Sequence, residues 1–246
     1  MGEMGLDDLP EAYHEAFAEL TDRLQRLLGR NLIGFTAYGG WLHEDPFLKG
    51  ELATSVVVLR KDELDSLTNI ASKGYSYAAR GVRAPYFMSE EYLRDSLDSF
   101  PIEFLEIQQT GKLLHGEDRF GALKIRPDCV RVQCERMLKS ELMYLRQGLL
   151  RPDAFSTMRA IFRACAIRLL RVLSAVLFLH GTACRCHDAL VIVPRCMELT
   201  SVDFSGLQKF IEKPPDRLPI GNYKLLYGEI RALAAYVDAF ECRSDE

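Results

Sequence analysis

The chain has 246 residues and a mass of 28.0 kDa, with 48% hydrophobic and 27% charged residues, a balance that suits one large or two small buried cores and excludes a disordered chain. Its net charge of −4 is unevenly spread: residues 1–125 carry 13 Lys/Arg against 21 Asp/Glu, and residues 126–246 carry 18 against 14. The split predicts two units of unlike surface, and no chain-wide basic excess is left to neutralise a nucleic acid.

Residues 11–29 place Ala16, Phe17, Leu20, Leu24, Leu27 and Leu28 at helical spacing, with Pro10 before the first turn and Gly29 as the stop. Leu32–Tyr38 is a run of strand formers closed by Gly39-Gly40, and reads as a strand ending in a tight turn. After an irregular stretch containing Pro46, the β-branched run Ser55–Leu59 predicts a buried strand. A helix over 62–80, a short strand over 85–88, a helix over 89–99 and a strand over 102–108 follow. Ser89 before Glu90-Glu91 is a good helix start. Alternation of strands and helices predicts a small sheet with helices covering it.

From residue 126 the pattern turns helical. Pro127 opens a helix to about Leu150, Arg151-Pro152-Asp153 breaks it, and a second long helix runs to about His180, where Gly181 ends it. Helices are expected near 185–199, 202–212 and 222–240, with 189–193 the one stretch there that also reads as a strand. All seven cysteines (129, 134, 165, 184, 186, 196 and 242) lie in this half, an odd number set mostly among apolar residues, which fits buried thiols in a reducing compartment. The acidic start lacks an apolar run, and Leu169–Leu179 falls short of the ~20 residues of a membrane span. A cytoplasmic protein with no membrane and no nucleic-acid partner is expected.

The order strand, Gly39-Gly40, about a dozen residues, second strand resembles the opening of the nucleotidyltransferase fold of the DNA polymerase beta superfamily. Phe100-Pro-Ile-Glu-Phe-Leu-Glu-Ile107 and Lys112-Leu-Leu-His-Gly-Glu-Asp118 are similar to a later strand of bacterial nucleotidyltransferase-domain proteins and the segment that leaves it. Val130–Arg136 and Leu145–Gln147 resemble the first helix of the all-α domain appended in that family, so the resemblance covers residues 30–150. It implies an α+β fold: a small mixed sheet of nucleotidyltransferase type with flanking helices over 1–125, then an all-α helical bundle over 126–246. It also implies a turn whose backbone N–H groups cradle a triphosphate, and an Asp-x-Asp pair on the next strand that holds two magnesium ions against the charge developing in phosphoryl transfer.

This chain departs from that pattern at the metal site. The alignment puts Leu52 and Thr54 where the two aspartates belong, and the other register offers Glu51 and Ala53, a single carboxylate. Glu106 stands where the third metal carboxylate would be, with Glu103 on the opposite side of the same expected strand. The leading expectation is therefore a nucleotidyltransferase-fold protein without catalysis, a nucleotide- or anion-binding or regulatory module using Gly39, Gly40 and Thr54, with no certain cofactor. The first alternative is an active enzyme, dependent on magnesium and a nucleoside triphosphate, that passes a nucleoside monophosphate to a small molecule or protein. Its metal site would be relocated to Glu44, Asp45, Glu51 and Glu106, with Glu51 and Glu106 catalytic. The second alternative is a structural interaction protein with a filled cleft, favoured by Leu52. Candidate partners are a nucleotide and a protein.

Other candidates are weaker. Cys184-x-Cys186-His187 lacks the second ligand pair that a structural zinc needs, and His115 reads as a loop histidine. Residues 154–187 hold Arg159, Arg163, Arg168, Arg171 and Arg185 but no acid, which predicts a solvated helix edge or docking of phosphates or, preferred of the two, of the acidic first half.

Overall fold

The computed structural model describes residues 5–43, 46–61, 67–68, 70, 74–182 and 188–242. It divides into two compact units, Met1–Leu97 with Glu103–Lys124, and Asp98–Ile102 with Ile125–Glu246.

In the first unit, helix α1 (His14–Leu28) follows a short 3-10 turn at Glu11–Tyr13. Its buried residues Ala16, Phe17, Leu20, Leu24 and Leu28 recur at three- and four-residue spacing and form one apolar stripe. The stripe belongs to a core with Phe35, Ala37, Ala53, Val57 and Leu59 from one face of the sheet. Each large side chain so buried contributes roughly 1.5–3 kcal/mol. Strands β1 (Leu32–Tyr38), β2 (Thr54–Leu59), β3 (Tyr86–Ser89) and β4 (Lys112–Gly116) are ordered β3-β2-β1-β4. Strand β1 is antiparallel to both its neighbours, β2 and β4, whereas β2 and β3 run parallel. Helix α2 (Gly74–Ala79) is the described end of the expected helix over 62–80, and α3 (Glu90–Asp95) is capped by the Ser89 hydroxyl accepting from the Tyr92 N–H.

The expected strand over 102–108 is not a strand. Pro101–Thr110 forms helix α4, and the fourth strand of the sheet is the next segment, β4. The physical reason is burial on nearly every side: Pro101, Ile102, Phe104, Leu105, Glu106, Ile107 and Thr110 are all buried, so the segment carries no period that distinguishes a helix from a core strand. Proline at its first position and a glycine after its last mark it as helical. A β-carbon on Gly111 would sit 2.4 Å from the Ile107 carbonyl oxygen and 3.1 Å from Thr36 Cγ2, which leaves room for glycine only where α4 meets β1.

The second unit is all helical among its described residues: α5 (Pro127–Leu149), α6 (Ala154–Leu179), α7 (Ala189–Thr200), α8 (Ser205–Glu212) and α9 (Ile220–Asp238). The long hairpin of α5 and α6 forms its centre, with α9 packed along α5 and α7 along α6. Residues 189–193 are the first turns of α7 rather than a strand, begun by the Asp188 carboxylate accepting from the Leu190 N–H. Arg168 on α6 makes a two-pronged ion pair with the buried Glu141 of α5, at 2.5 and 2.8 Å, and its guanidinium lies 4.6 Å above the Tyr144 ring. That side chain is thereby accounted for inside its own unit. Burial pushes the Cys134 and Cys165 thiols well above the ordinary cysteine range, as expected of thiols placed for packing. No helix among the described residues is long and apolar enough to cross a membrane.

Candidate functional site

The candidate site lies in the first unit, at the end of β1. Gly39 turns the chain at φ +105°, a conformation that disfavours any side chain. The chain then enters a short 3-10 helix at Gly40–His43, which delivers Trp41 into the core. The Trp41 ring stacks on Phe17 at 5.4 Å between centroids, and its indole N–H donates to the Tyr38 carbonyl at 2.7 Å. The turn is therefore anchored by an aromatic plug on one side and by β2 on the other.

Three of the residues singled out from the sequence meet at this turn. Thr54 pairs with Tyr38 across the β1–β2 ladder, and its hydroxyl donates to the same Tyr38 carbonyl at 2.6 Å. A β-carbon on Gly39 would lie 3.0 Å from Thr54 Oγ1 and 3.6 Å from Glu106 Oε1. Glu106 is buried at 7% exposure. It reaches the turn from α4 rather than from a strand, so Glu103, three residues earlier, lies on the same side of a helix and not on the opposite side of a strand.

A fourth residue escaped the sequence reading. The Thr110 hydroxyl accepts from the Gly39 N–H at 3.0 Å and donates to the Glu106 carbonyl at 2.7 Å. Thr110 is buried, and it stands one helical turn after Glu106. The available signal was the helical reading of 101–110, which puts positions 106 and 110 on one face.

The remaining candidates do not join this group so directly. Ala53 is fully buried and bridges to Val82, whereas Glu51 and Leu52 are half-buried before β2. Glu44, Asp45, Cys184, Arg185, Cys186 and His187 lie outside the described residues. No three His, Cys, Asp or Glu side chains among the described residues gather as a metal-binding set. His115 sits on β4, its Nδ1 2.9 Å from the Gln25 side-chain nitrogen.

What this arrangement can do chemically follows from its donors and charges. Magnesium binds hard anionic oxygens, and the strand that faces the turn offers a threonine hydroxyl already hydrogen-bonded to a carbonyl. Glu106 is an acid that the fold places beside the turn.

No family model matches the chain, and no curated protein matches it. Among solved structures, it is similar to the spectinomycin adenyltransferase AAD(9) from Enterococcus faecialis, crystallised with ATP and spectinomycin. The TM-score is 0.57 at 11% identity, over 92% of this chain and 99% of that one. At that identity the likeness establishes the fold. The chain has a nucleotidyltransferase fold, a small mixed sheet with flanking helices, followed by an all-α bundle.

Proposed function

We propose that this nucleotidyltransferase-fold protein no longer transfers nucleotides and serves as a binding or regulatory module. The observation that carries the reading is Thr54: at the strand position facing the turn, where the chemistry needs an anionic metal ligand, a neutral hydroxyl is turned into the Tyr38 carbonyl. Leu52, two residues earlier and just before β2, cannot ligate a metal either. Two-metal phosphoryl transfer places its cations only about 3.5–4 Å apart, so a relocated site needs several acids converging at one point. Of the described acids in that set, Glu106 stands beside the turn and Glu51 lies before β2.

The solved neighbour was crystallised with ATP, which makes nucleotides the first ligands to test. The protein is incubated with labelled ATP, GTP, CTP or UTP and magnesium or manganese, and pyrophosphate release and self-labelling are followed. The expected result is no turnover above a no-protein control. Label transfer that disappears in Glu106→Ala would overturn the proposal and favour the active enzyme with a relocated metal site.

A further inference from the structure

The first unit carries a second charged surface, at the opposite end of its sheet from the Gly39 turn. β1 begins at Leu32 and β2 ends at Leu59, so the two ends lie about 20 Å apart at ~3.3 Å per residue. Two segments are clasped there. The Arg60 N–H donates to the Asn31 carbonyl at 2.9 Å, the Lys61 N–H donates to Asn31 Oδ1 at 2.9 Å, and Asn31 Nδ2 donates to the Lys61 carbonyl at 3.1 Å. The clasp gathers Arg30, Arg60 and Lys61, and Arg26 adds a fourth cation from the last turn of α1. All four are exposed, and none forms an ion pair among the described residues. The Arg60 Nε–H donates to the Arg30 carbonyl at 3.0 Å, and the Arg26 Nε–H to the Asp22 carbonyl at 3.2 Å. Each of these guanidinium groups is thereby tethered, and its two terminal nitrogens make a fork that suits a carboxylate.

Cations that backbone hydrogen bonds hold together repel one another, and an anion that reaches them relieves the repulsion. We infer that this end of the sheet binds a short acidic segment of another protein. The patch is small, and its four cations stand in a half of the chain that carries 13 Lys/Arg against 21 Asp/Glu. A nucleic acid spaces its charges evenly along its length and would run from the patch over that acidic excess. A peptide can end its carboxylates where the patch ends. Arginine clusters are a recurring means of reading acidic motifs. Leu27, beside Arg26 in the chain, is 43% exposed and offers an apolar contact next to the charges. Asp62 and Glu63 follow Lys61 in the chain and lie outside the described residues, so the test keeps them present as competitors. The inference does not rest on the reading of the Gly39 turn; it adds a partner and the place where that partner docks.

The test measures binding of the full-length protein to a labelled glutamate-rich peptide with a central leucine, by fluorescence anisotropy, with a labelled DNA duplex as the second probe. The wild type is expected to bind the peptide more tightly than the duplex, with an affinity that falls as salt is raised. Arg30→Gln/Lys61→Gln keeps every clasp bond, because those bonds use only backbone atoms of the two residues. Its peptide affinity should drop roughly fivefold or more, as two exposed ion pairs are lost. Arg26→Gln/Arg60→Gln should lose at least as much, since it removes both tethered forks. The control Lys213→Gln/Arg217→Gln, exposed in the second unit, should bind as the wild type does. No saturable peptide binding by the wild type at millimolar concentration would overturn the inference. So would an equal loss in the control and the patch variants, an unchanged Arg30→Gln/Lys61→Gln, or tighter binding of the duplex than of the peptide. If Arg26→Gln/Arg60→Gln does not fold, Arg30→Gln/Lys61→Gln decides by itself. Label transfer by the wild type would defeat the proposed function alone, because the peptide series reads a different surface.

Discussion

The carbonyl of Tyr38 receives two hydrogen bonds, from the Thr54 hydroxyl and the Trp41 indole, and so ties β2 and the aromatic plug to the same point. Gly39, Gly40 and Thr54 were legible in the sequence because strand formers followed by two glycines and then a β-branched run leave little choice of register. Thr110 was not, because its contact with Gly39 spans 71 positions and depends on a helix misread as a strand. Two residues nearby in kind, though not in role, show single-site strain that the sequence does not announce. Ser55 is 1% exposed, faces Ala37 across the ladder, and its hydroxyl has no hydrogen-bond partner among the described residues. An unsatisfied buried hydroxyl costs about 1–3 kcal/mol, so Ser55→Ala is expected to stabilise the protein by about 1 kcal/mol in urea denaturation. A loss of stability would show that the hydroxyl is satisfied. Ser201 ends α7 at φ 57°, a left-handed conformation, while its N–H bonds to the Met197 carbonyl. Ser201→Gly removes the side-chain penalty and, net of the freer unfolded chain, should raise stability by roughly 0.5–1 kcal/mol. The midpoint of thermal unfolding reads this directly, and a lowered midpoint would reject the argument.

At the level of elements, the amphipathic helices and the buried strands β1 and β2 were legible, whereas a helix buried on nearly every side was not. α1 and α5 carry a polar face, and their periods gave their positions to within a few residues. α4 is buried on nearly all sides, and the run Ala189-Leu-Val-Ile-Val193 within the expected helix near 185–199 contains the same residue types that fill core strands. β4 was hidden for the opposite reason, since it is short and only half-buried along most of its length. Packing between α8 and α9 depends on a buried acid that no period reveals. The Glu229 carboxylate, 7% exposed, accepts from the Gly206 N–H at 2.6 Å and the Leu207 N–H at 3.2 Å, at the start of α8. A β-carbon on Gly206 would lie 2.7 Å from Glu229 Oε1, so the glycine admits the acid. Burial lifts the Glu229 pKa from 4.5 to about 7, with Asp203 adding to the rise and the two N–H groups opposing it. Because the folded value is the higher one, the stabilising contribution is present below about pH 4.5 and is lost as pH rises through about 7. Relative to Glu229→Gln, the wild type should therefore lose about 2–3 kcal/mol of unfolding free energy between pH 5 and pH 8. A difference between the two proteins that stays constant over that range would refute the linkage.

For the whole molecule, a TM-score of 0.57 at 11% identity means that the frame persists where few side chains do. A fold is held by its apolar pattern and its turns, whereas a metal site is held by a few acids, so the two diverge independently. The uneven charge of the chain illustrates the same separation. The acidic excess of residues 1–125 predicted a surface unlike that of the second half. β2 carries no acid, and acids such as Glu15, Glu19 and Glu90 lie on helices. If the frame of the nucleotidyltransferase site is intact and lacks only its ligands, replacing them should restore metal binding. In Leu52→Asp/Thr54→Asp, two carboxylates two residues apart would join Glu106 near the turn. Without metal they repel one another and Glu106, so the thermal midpoint in chelator should fall by several degrees, as a cost of about 1 kcal/mol corresponds to about 2–4 °C in a chain of this size. Millimolar manganese or magnesium should recover most of that loss, by mass action on the folded state alone, while leaving the wild-type midpoint unmoved. Recovery would show that the geometry for two metals survives under a changed set of side chains. A midpoint indifferent to the metal, in a variant that still folds, would show that the backbone around the turn has itself moved away from that geometry.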